Sequence, residues 1–219
     1  MDKKFLIGLI FPPRCMFCGE VLPADTLCPE CKPKAEHLSM ADTGRKINHS
    51  CFKNLDSCIA FFRYEGLVRD GILYAKYKSC DGFIRQFMEY MDFDFAQYFA
   101  ENGIDEFISV PFYKSKLYNR EYDLPKEMAA AIAKSCNVKY NKDLVTKVKA
   151  TRNQHDLSVT DRKTNLKDAF CVNGDIKGKN IAVLDDILST GYSMEEVAKV
   201  LKKAGANKVI GISFAYNNK

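Results

Sequence analysis

The stretch Ile181-Ala182-Val183-Leu184-Asp185-Asp186-Ile187-Leu188-Ser189-Thr190-Gly191-Tyr192-Ser193 decides how the rest of the chain is read. Its apolar start is a buried strand over residues 179–184 that carries two adjacent carboxylates at its tip. A loop with two hydroxyls and a glycine follows and runs into an amphipathic helix. That helix has Met194, Val197, Ala198 and Leu201 at i, i+3, i+4 and i+7, with Gly205 as its stop. Each part has a task if the ligand is a ribose carrying a 5′-phosphate. Asp185 and Asp186 can accept hydrogen bonds from the 2′- and 3′-hydroxyls. Ser189, Thr190 and Gly191 offer hydroxyls and unshielded backbone N–H groups to the phosphate. The helix that starts at Tyr192 and Ser193 turns its positive end toward the same anion. Glycine at 191 lets backbone approach a ligand closely and permits a positive φ. A strand, an Asp turn and a helix can also be purely structural, with an Asp capping the helix. The coincidence of acid pair, Ser-Thr-Gly and helix start at one strand end, where open α/β sheets bind ligands, favours the site.

The pattern around this stretch is that of a parallel sheet. After Asn102-Gly103, short apolar runs at 106–110, 144–148, 169–172, 179–184 and 208–215 alternate with helical segments at about 124–135 and 192–204. Pro125 is tolerated in the first turn of its helix. Upstream, residues 57–64 are strand-like, 67–77 show helical spacing, and 82–100 form a second, aromatic-rich helix whose Phe83, Phe87, Tyr90 and Met91 serve the core. Residues 32–54 are polar without periodicity and are expected to be a linker or a loosely ordered continuation of the N-terminal segment.

That N-terminal segment has its own chemistry. Of nine cysteines, Cys15, Cys18, Cys28 and Cys31 form two CxxC turns separated by nine residues. One such turn places two thiolates on one side of a metal and the second completes a tetrahedron. A disulfide framework disagrees with the odd count and the lack of a secretion signal, and a redox pair would follow a strand in a βαβ unit. A closed, structural zinc site is expected, with His37 and His49 left as surface residues. Cys51, Cys58, Cys80, Cys136 and Cys171 show no ligand spacing. A first unit of residues 1–54, zinc module plus linker, thus precedes a second of residues 55–219.

Composition narrows the class without choosing a function. The 219 residues are 47% hydrophobic and 28% charged, as in an ordinary globular protein. The net charge of +5 suits a phosphate-rich ligand and is too small to demand nucleic acid. No window reaches the roughly 20 apolar residues that span a bilayer. The run after Lys3-Lys4 is short and lacks a cleavage site, so the chain is expected to be cytoplasmic.

The acidic pair before Ser-Thr-Gly resembles the phosphoribosyl-diphosphate (PRPP) signature of type I phosphoribosyltransferases. Three further segments resemble the ComF family, associated with competence for DNA uptake. The first is Ile108-Ser109-Val110-Pro111 with Lys116, Leu117 and Arg120, which looks like the family's strand and basic loop at the pyrophosphate position. After Arg120 the family carries Gly-Phe-Asn-Gln, where this chain has Glu121-Tyr122-Asp123-Leu124. The second is residues 151–170, similar to a family segment through Gln154, Leu157, Arg162, Asn165, Ala169 and Phe170, in a region that includes a mobile lid in type I enzymes. The third is the N-terminal Phe-Pro-Pro-Arg-Cys-Met-Phe-Cys-Gly with its second CxxC. Lys76-Tyr77 matches a family Lys-Tyr.

The resemblance implies a type I phosphoribosyltransferase-like parallel sheet with flanking helices, preceded by a small four-cysteine zinc ribbon. It implies PRPP held by Asp185, Asp186, Ser189, Thr190, Gly191, Tyr192, Ser193, Pro111, Lys116, Arg120 and Lys76. Mg²⁺ would bridge sugar and diphosphate. In an active enzyme Asp185 and Asp186 would stabilise positive charge on the sugar while Arg162 stabilised leaving diphosphate. The alternative is a non-catalytic competence factor that binds single-stranded DNA, a DNA-uptake helicase or another protein, or a PRPP-responsive regulator. The sequence lacks the aromatic-interleaved basic strip expected for single strands.

Overall fold

The computed structural model describes residues 12–22, 28–39, 45–48, 51–77, 81–91, 93–112, 122–149 and 166–217. In chain order its elements are α1 (Lys32–Leu38), β1 (Arg45–Lys46), β2 (Ser57–Arg63), α2 (Gly66–Tyr77), α3 (Asp81–Met91), α4 (Phe95–Asn102) and β3 (Glu106–Ser109). They continue with α5 (Leu124–Cys136), β4 (Val145–Lys147), β5 (Phe170–Val172), β6 (Asn180–Leu188), α6 (Tyr192–Lys203) and β7 (Lys208–Tyr216). Five strands form one sheet in the order β1-β2-β7-β6-β3, and β4 and β5 pair separately. All neighbours in the main sheet are parallel except β1, which runs antiparallel to β2.

β6 and β7 read as unbroken apolar runs because both faces of the sheet are covered. Side chains alternate between those faces. Ala182, Leu184, Ile210, Ile212 and Phe214 meet Val68 and Ile72 of α2, Phe83 and Phe87 of α3, Phe99 of α4, and Met128 and Ile132 of α5. Ile181, Val183 and Val209 meet Met194, Val197, Ala198 and Leu201 of α6. This is a type I phosphoribosyltransferase arrangement, a parallel sheet with flanking helices.

Three departures from the sequence reading bear on the site. First, β6 does not end at Leu184. It runs on to Leu188, because β7 continues beside it, with Asp185 opposite Ser213, Ile187 opposite Ala215 and Leu188 opposite Tyr216. On the other side β3 stops with Ser109 opposite Leu184. The acidic pair therefore lies inside a strand that has outrun one neighbour, and not at a strand tip. Second, residues 82–100 are two helices. Asp94 caps the second, its carboxylate accepting the Gln97 N–H at 2.9 Å. Third, the segment read as a linker holds α1 and β1, and residues 51–55 dock onto α6.

The far end of the sheet is fastened electrostatically. Glu106, 3% exposed, accepts from Lys139 Nζ at 2.9 Å, Lys179 Nζ at 2.7 Å and Asn141 Nδ2 at 2.8 Å. Burial alone would raise its pKa; these partners, Lys179 foremost, bring it down to about 2.

Candidate functional site

The loop after β6 is shaped by glycine and by chain from far upstream. Gly191 has φ +69° and is the N-cap of α6, a position from which it offers no side-chain cap. A Cβ placed there would lie 2.6 Å from Phe52 Cε1 and 2.9 Å from Cys51 Sγ. The Cys51 thiol donates to the Thr190 carbonyl at 3.1 Å. The carboxylate of Glu195, one turn into α6, accepts the backbone N–H groups of Lys53 and Asn54 and, at 2.6 Å, the Asn54 side-chain amide. Glu195 thereby ties residues 53–54 to the first turn of α6, and its charge is met by those donors. Asp185, Ser189, Thr190, Gly191 and Ser193 line one open depression together with Ile187, Leu188 and Met194. It combines hydroxyls, a helix N-terminus and a carboxylate, which is the donor and acceptor set a sugar phosphate needs.

The two carboxylates of the pair have different surroundings. Asp185 lines the depression and its Oδ1 accepts the Asp186 N–H at 2.9 Å. Asp186 is 4% exposed, and its Oδ2 lies 2.7 Å from Nζ of Lys76, at the end of α2. Burial first, and then the charge of Asp186, push the Asp185 carboxyl well above the usual carboxylate range, with Lys76 acting in the opposite direction. A carboxyl raised in the fold binds its proton more tightly there than in the unfolded chain. Its contribution to stability is complete at low pH and declines as pH rises toward the folded value. Asp185→Asn is therefore expected to raise the melting temperature of the ligand-free protein at pH 8 and to flatten its decline above pH ~5. Thermal melts of both proteins across that range measure this; parallel curves would contradict it.

Asp123, in the tetrapeptide where the chain departs from the ComF pattern, is the N-cap of α5 and accepts the Lys126 N–H at 3.4 Å. Burial pushes its pKa up to about 6, and Asp186 contributes in the same direction. Pro111 follows β3 and is half-buried. Tyr192 and Ser193 open α6. Lys116, Arg120 and Arg162 lie outside the described residues.

The four cysteines come together. Their Sγ atoms all lie within 4.8 Å of one another, and Cys18 and Cys28 are 4.0 Å apart. Tetrahedral zinc with bonds of about 2.3 Å sets its sulfurs about 3.8 Å apart, so the cluster fits the metal. Burial and the neighbouring thiols push Cys31 up, and burial pushes Cys15 up, as befits a cluster whose charge needs a cation. His37 is exposed. The knuckle rests on the helical layer. A Cβ on Gly71 of α2 would meet the Met16 carbonyl at 2.8 Å and the Phe17 ring at 2.9 Å. Gln86 of α3 accepts from Met16 N–H at 2.9 Å and donates to the Arg14 carbonyl at 2.7 Å.

Residues 126–219 match the family model described as phosphoribosyl transferase domain. DNA utilization protein YhgH of Escherichia coli (strain K12) is 30% identical over 105 residues, 48% of this chain and 46% of that protein. Competence protein F of Haemophilus influenzae is 29% identical over 105 residues, 47% of this chain and 46% of that protein. The chain spans about half the length of the curated relatives it matches. Among solved structures, a purine phosphoribosyltransferase from Pyrococcus horikoshii Ot3 is 14% identical with a TM-score of 0.34, covering 57% of this chain and 77% of that one. At that score the likeness adds nothing to the topology above. The sequence matches give these features their setting: residues 126–219 match a phosphoribosyl transferase domain, and about half of the chain is similar to proteins named for DNA utilization and competence.

Proposed function

We propose that this protein binds PRPP in the depression after β6 and transfers its phosphoribosyl group to a nucleophilic acceptor, in the cytoplasm, in the service of DNA uptake or natural transformation. The observation that carries the reading is the joining of Asp185, Ser189, Thr190, Gly191 and Ser193 in one depression at the start of α6. The names of the relatives support the DNA-linked role, and no described helix is long and apolar enough to cross a membrane. Mg²⁺ would arrive on the substrate's diphosphate and neutralise charge there, as hard cations bound to substrate phosphates do. The acceptor would form its bond to the anomeric carbon as the bond to diphosphate breaks. Asp185, once ionised, and Asp186 would stabilise the positive charge that develops on the sugar, and Lys116, Arg120 and Arg162 would neutralise the leaving diphosphate. In this reading residues 1–54 are the zinc-binding module and linker, and residues 55–219 the phosphoribosyltransferase-like domain.

One observation favours a second reading. Asp123 adds a carboxyl that feels Asp186, and a binding protein without turnover, docking a protein such as a DNA-uptake helicase, tolerates that better than an enzyme that must hold diphosphate. Calorimetry with PRPP and Mg²⁺, followed by an assay of pyrophosphate release with nucleobases and with single-stranded DNA, separates the two. Binding with release supports the enzyme. Binding without release for every acceptor supports the second reading, and absence of binding removes both.

A further inference from the structure

Residues 51–56 form a strap that follows α6 from its start to its last turn. At the top, the Cys51 thiol donates to the Thr190 carbonyl at 3.1 Å, and the Phe52 ring fills the space a Cβ on Gly191 would need. One turn lower, Glu195 accepts the N–H groups of Lys53 and Asn54 at 3.1 Å each and the Asn54 side-chain amide at 2.6 Å. Leu55 is buried in the core on that face of the sheet. At the foot, Asp56 accepts the Val209 N–H at 2.7 Å and meets Lys202 Nζ at 2.8 Å. The Asp56 N–H also donates to the Val209 carbonyl at 2.9 Å, so the foot is fastened to the sheet. The top is fastened by side chains, Glu195 foremost.

Glu195 is 7% exposed. Burial of a carboxylate is costly unless hydrogen bonds replace its water. A first-turn glutamate left in solvent would serve the helix dipole equally well. What the buried position achieves is order in the strap, which lays Cys51 and Phe52 against Thr190 and Gly191. Those two residues line the depression after β6. We propose that residues 51–55 belong to the phosphate site as its rear wall, with Glu195 the positioning residue that keeps loop 189–191 in its binding form. Glu195 acts through residues 51–54 and not by touching the ligand. Order in the strap and occupancy of the depression are then coupled, and such coupling is reciprocal. A docked strap raises ligand affinity, and the ligand stabilises the docked strap by the same factor. The inference rests on the sugar-phosphate reading of the depression.

Calorimetric titration of the full chain with ribose 5-phosphate, and hydrogen exchange with and without it, test the coupling. Glu195→Ala is expected to weaken binding about tenfold, within the usual span of coupling between sites. Glu195→Gln keeps an oxygen for the Lys53 and Asn54 N–H groups and is expected to bind within about threefold of wild type. In the wild-type protein, saturating ribose 5-phosphate is expected to slow exchange of the Lys53 and Asn54 amides about tenfold. That measurement needs no variant, so it decides the matter if Glu195→Ala does not fold. Wild-type binding with unchanged exchange at residues 53 and 54 overturns the inference and leaves the site reading standing. So does an alanine variant that binds as tightly as wild type, or a glutamine variant that binds no better than the alanine one. Absence of binding to the wild-type protein overturns the site reading and the inference with it.

Discussion

Gly191→Ala is expected to destabilise the protein by about 3 kcal/mol and to abolish phosphate binding. Two costs combine. The residue sits at φ +69°, a conformation that costs an L side chain about 1–2 kcal/mol. The new methyl would also lie 2.6 Å from the Phe52 ring and 2.9 Å from the Cys51 sulfur, and overpacking of this kind costs a further 1–3 kcal/mol, roughly. The neighbours have little room to retreat. Cys51 is tied to the Thr190 carbonyl, and the following residues are tied to Glu195. Relief has to come from the loop itself, which moves the N–H groups that would meet the phosphate. Chemical denaturation and a phosphate titration measure both effects. A variant within about 0.5 kcal/mol of wild type, the range of neutral surface substitutions, with phosphate binding intact, would show that the loop is not built as described.

Removal of the metal is expected to have the larger effect on stability. Cys15, Cys28 and Cys31 are 1%, 2% and 5% exposed and belong to the same core as α2 and α3. Structural zinc contributes on the order of 10 kcal/mol to small modules of this kind, so a metal-free knuckle is expected to unfold. Its loss uncovers Gly71 of α2, leaves Gln86 without Met16 and Arg14, and separates Phe17 from Tyr90, whose rings are now 5.0 Å apart. Lys76 stands at the end of that same helix. Chelation is thus expected to lower the melting temperature, to speed hydrogen exchange along α2 and to weaken sugar-phosphate binding together. One zinc per chain by elemental analysis should accompany the intact state. A verified metal-free sample with unchanged melting and unchanged α2 protection would refute the structural role of the cluster.

The elements best read from sequence are those whose signal is local. β6 and β7 declare themselves as apolar runs too short for helices, α6 by its spacing, and the cysteine cluster by its paired CxxC turns. The split between α3 and α4 was also legible, since Asp94 followed three residues later by Gln97 marks a helix start, though the apolar spacing continues across it. What escaped depends on partners distant in the chain. Aspartate is disfavoured in strands, so the strand was expected to stop at Leu184; only the length of β7 shows why it continues. Residues 51–55 look like linker because Glu195, which accepts their N–H groups, is some 140 positions away. Lys76 matches a family Lys-Tyr by resemblance, and its ammonium lies 2.7 Å from Asp186, 110 positions downstream, a pairing that no local pattern announces.

The central claim is that the depression after β6 holds a sugar 5′-phosphate. A crystal structure of the protein grown with ribose 5-phosphate tests it most directly. The account predicts phosphate density within hydrogen-bonding distance of the Ser189, Thr190 and Gly191 backbone and the first turn of α6, with the sugar against Asp185. Sugar phosphate bound anywhere else in the molecule, with this depression left to solvent, would contradict it.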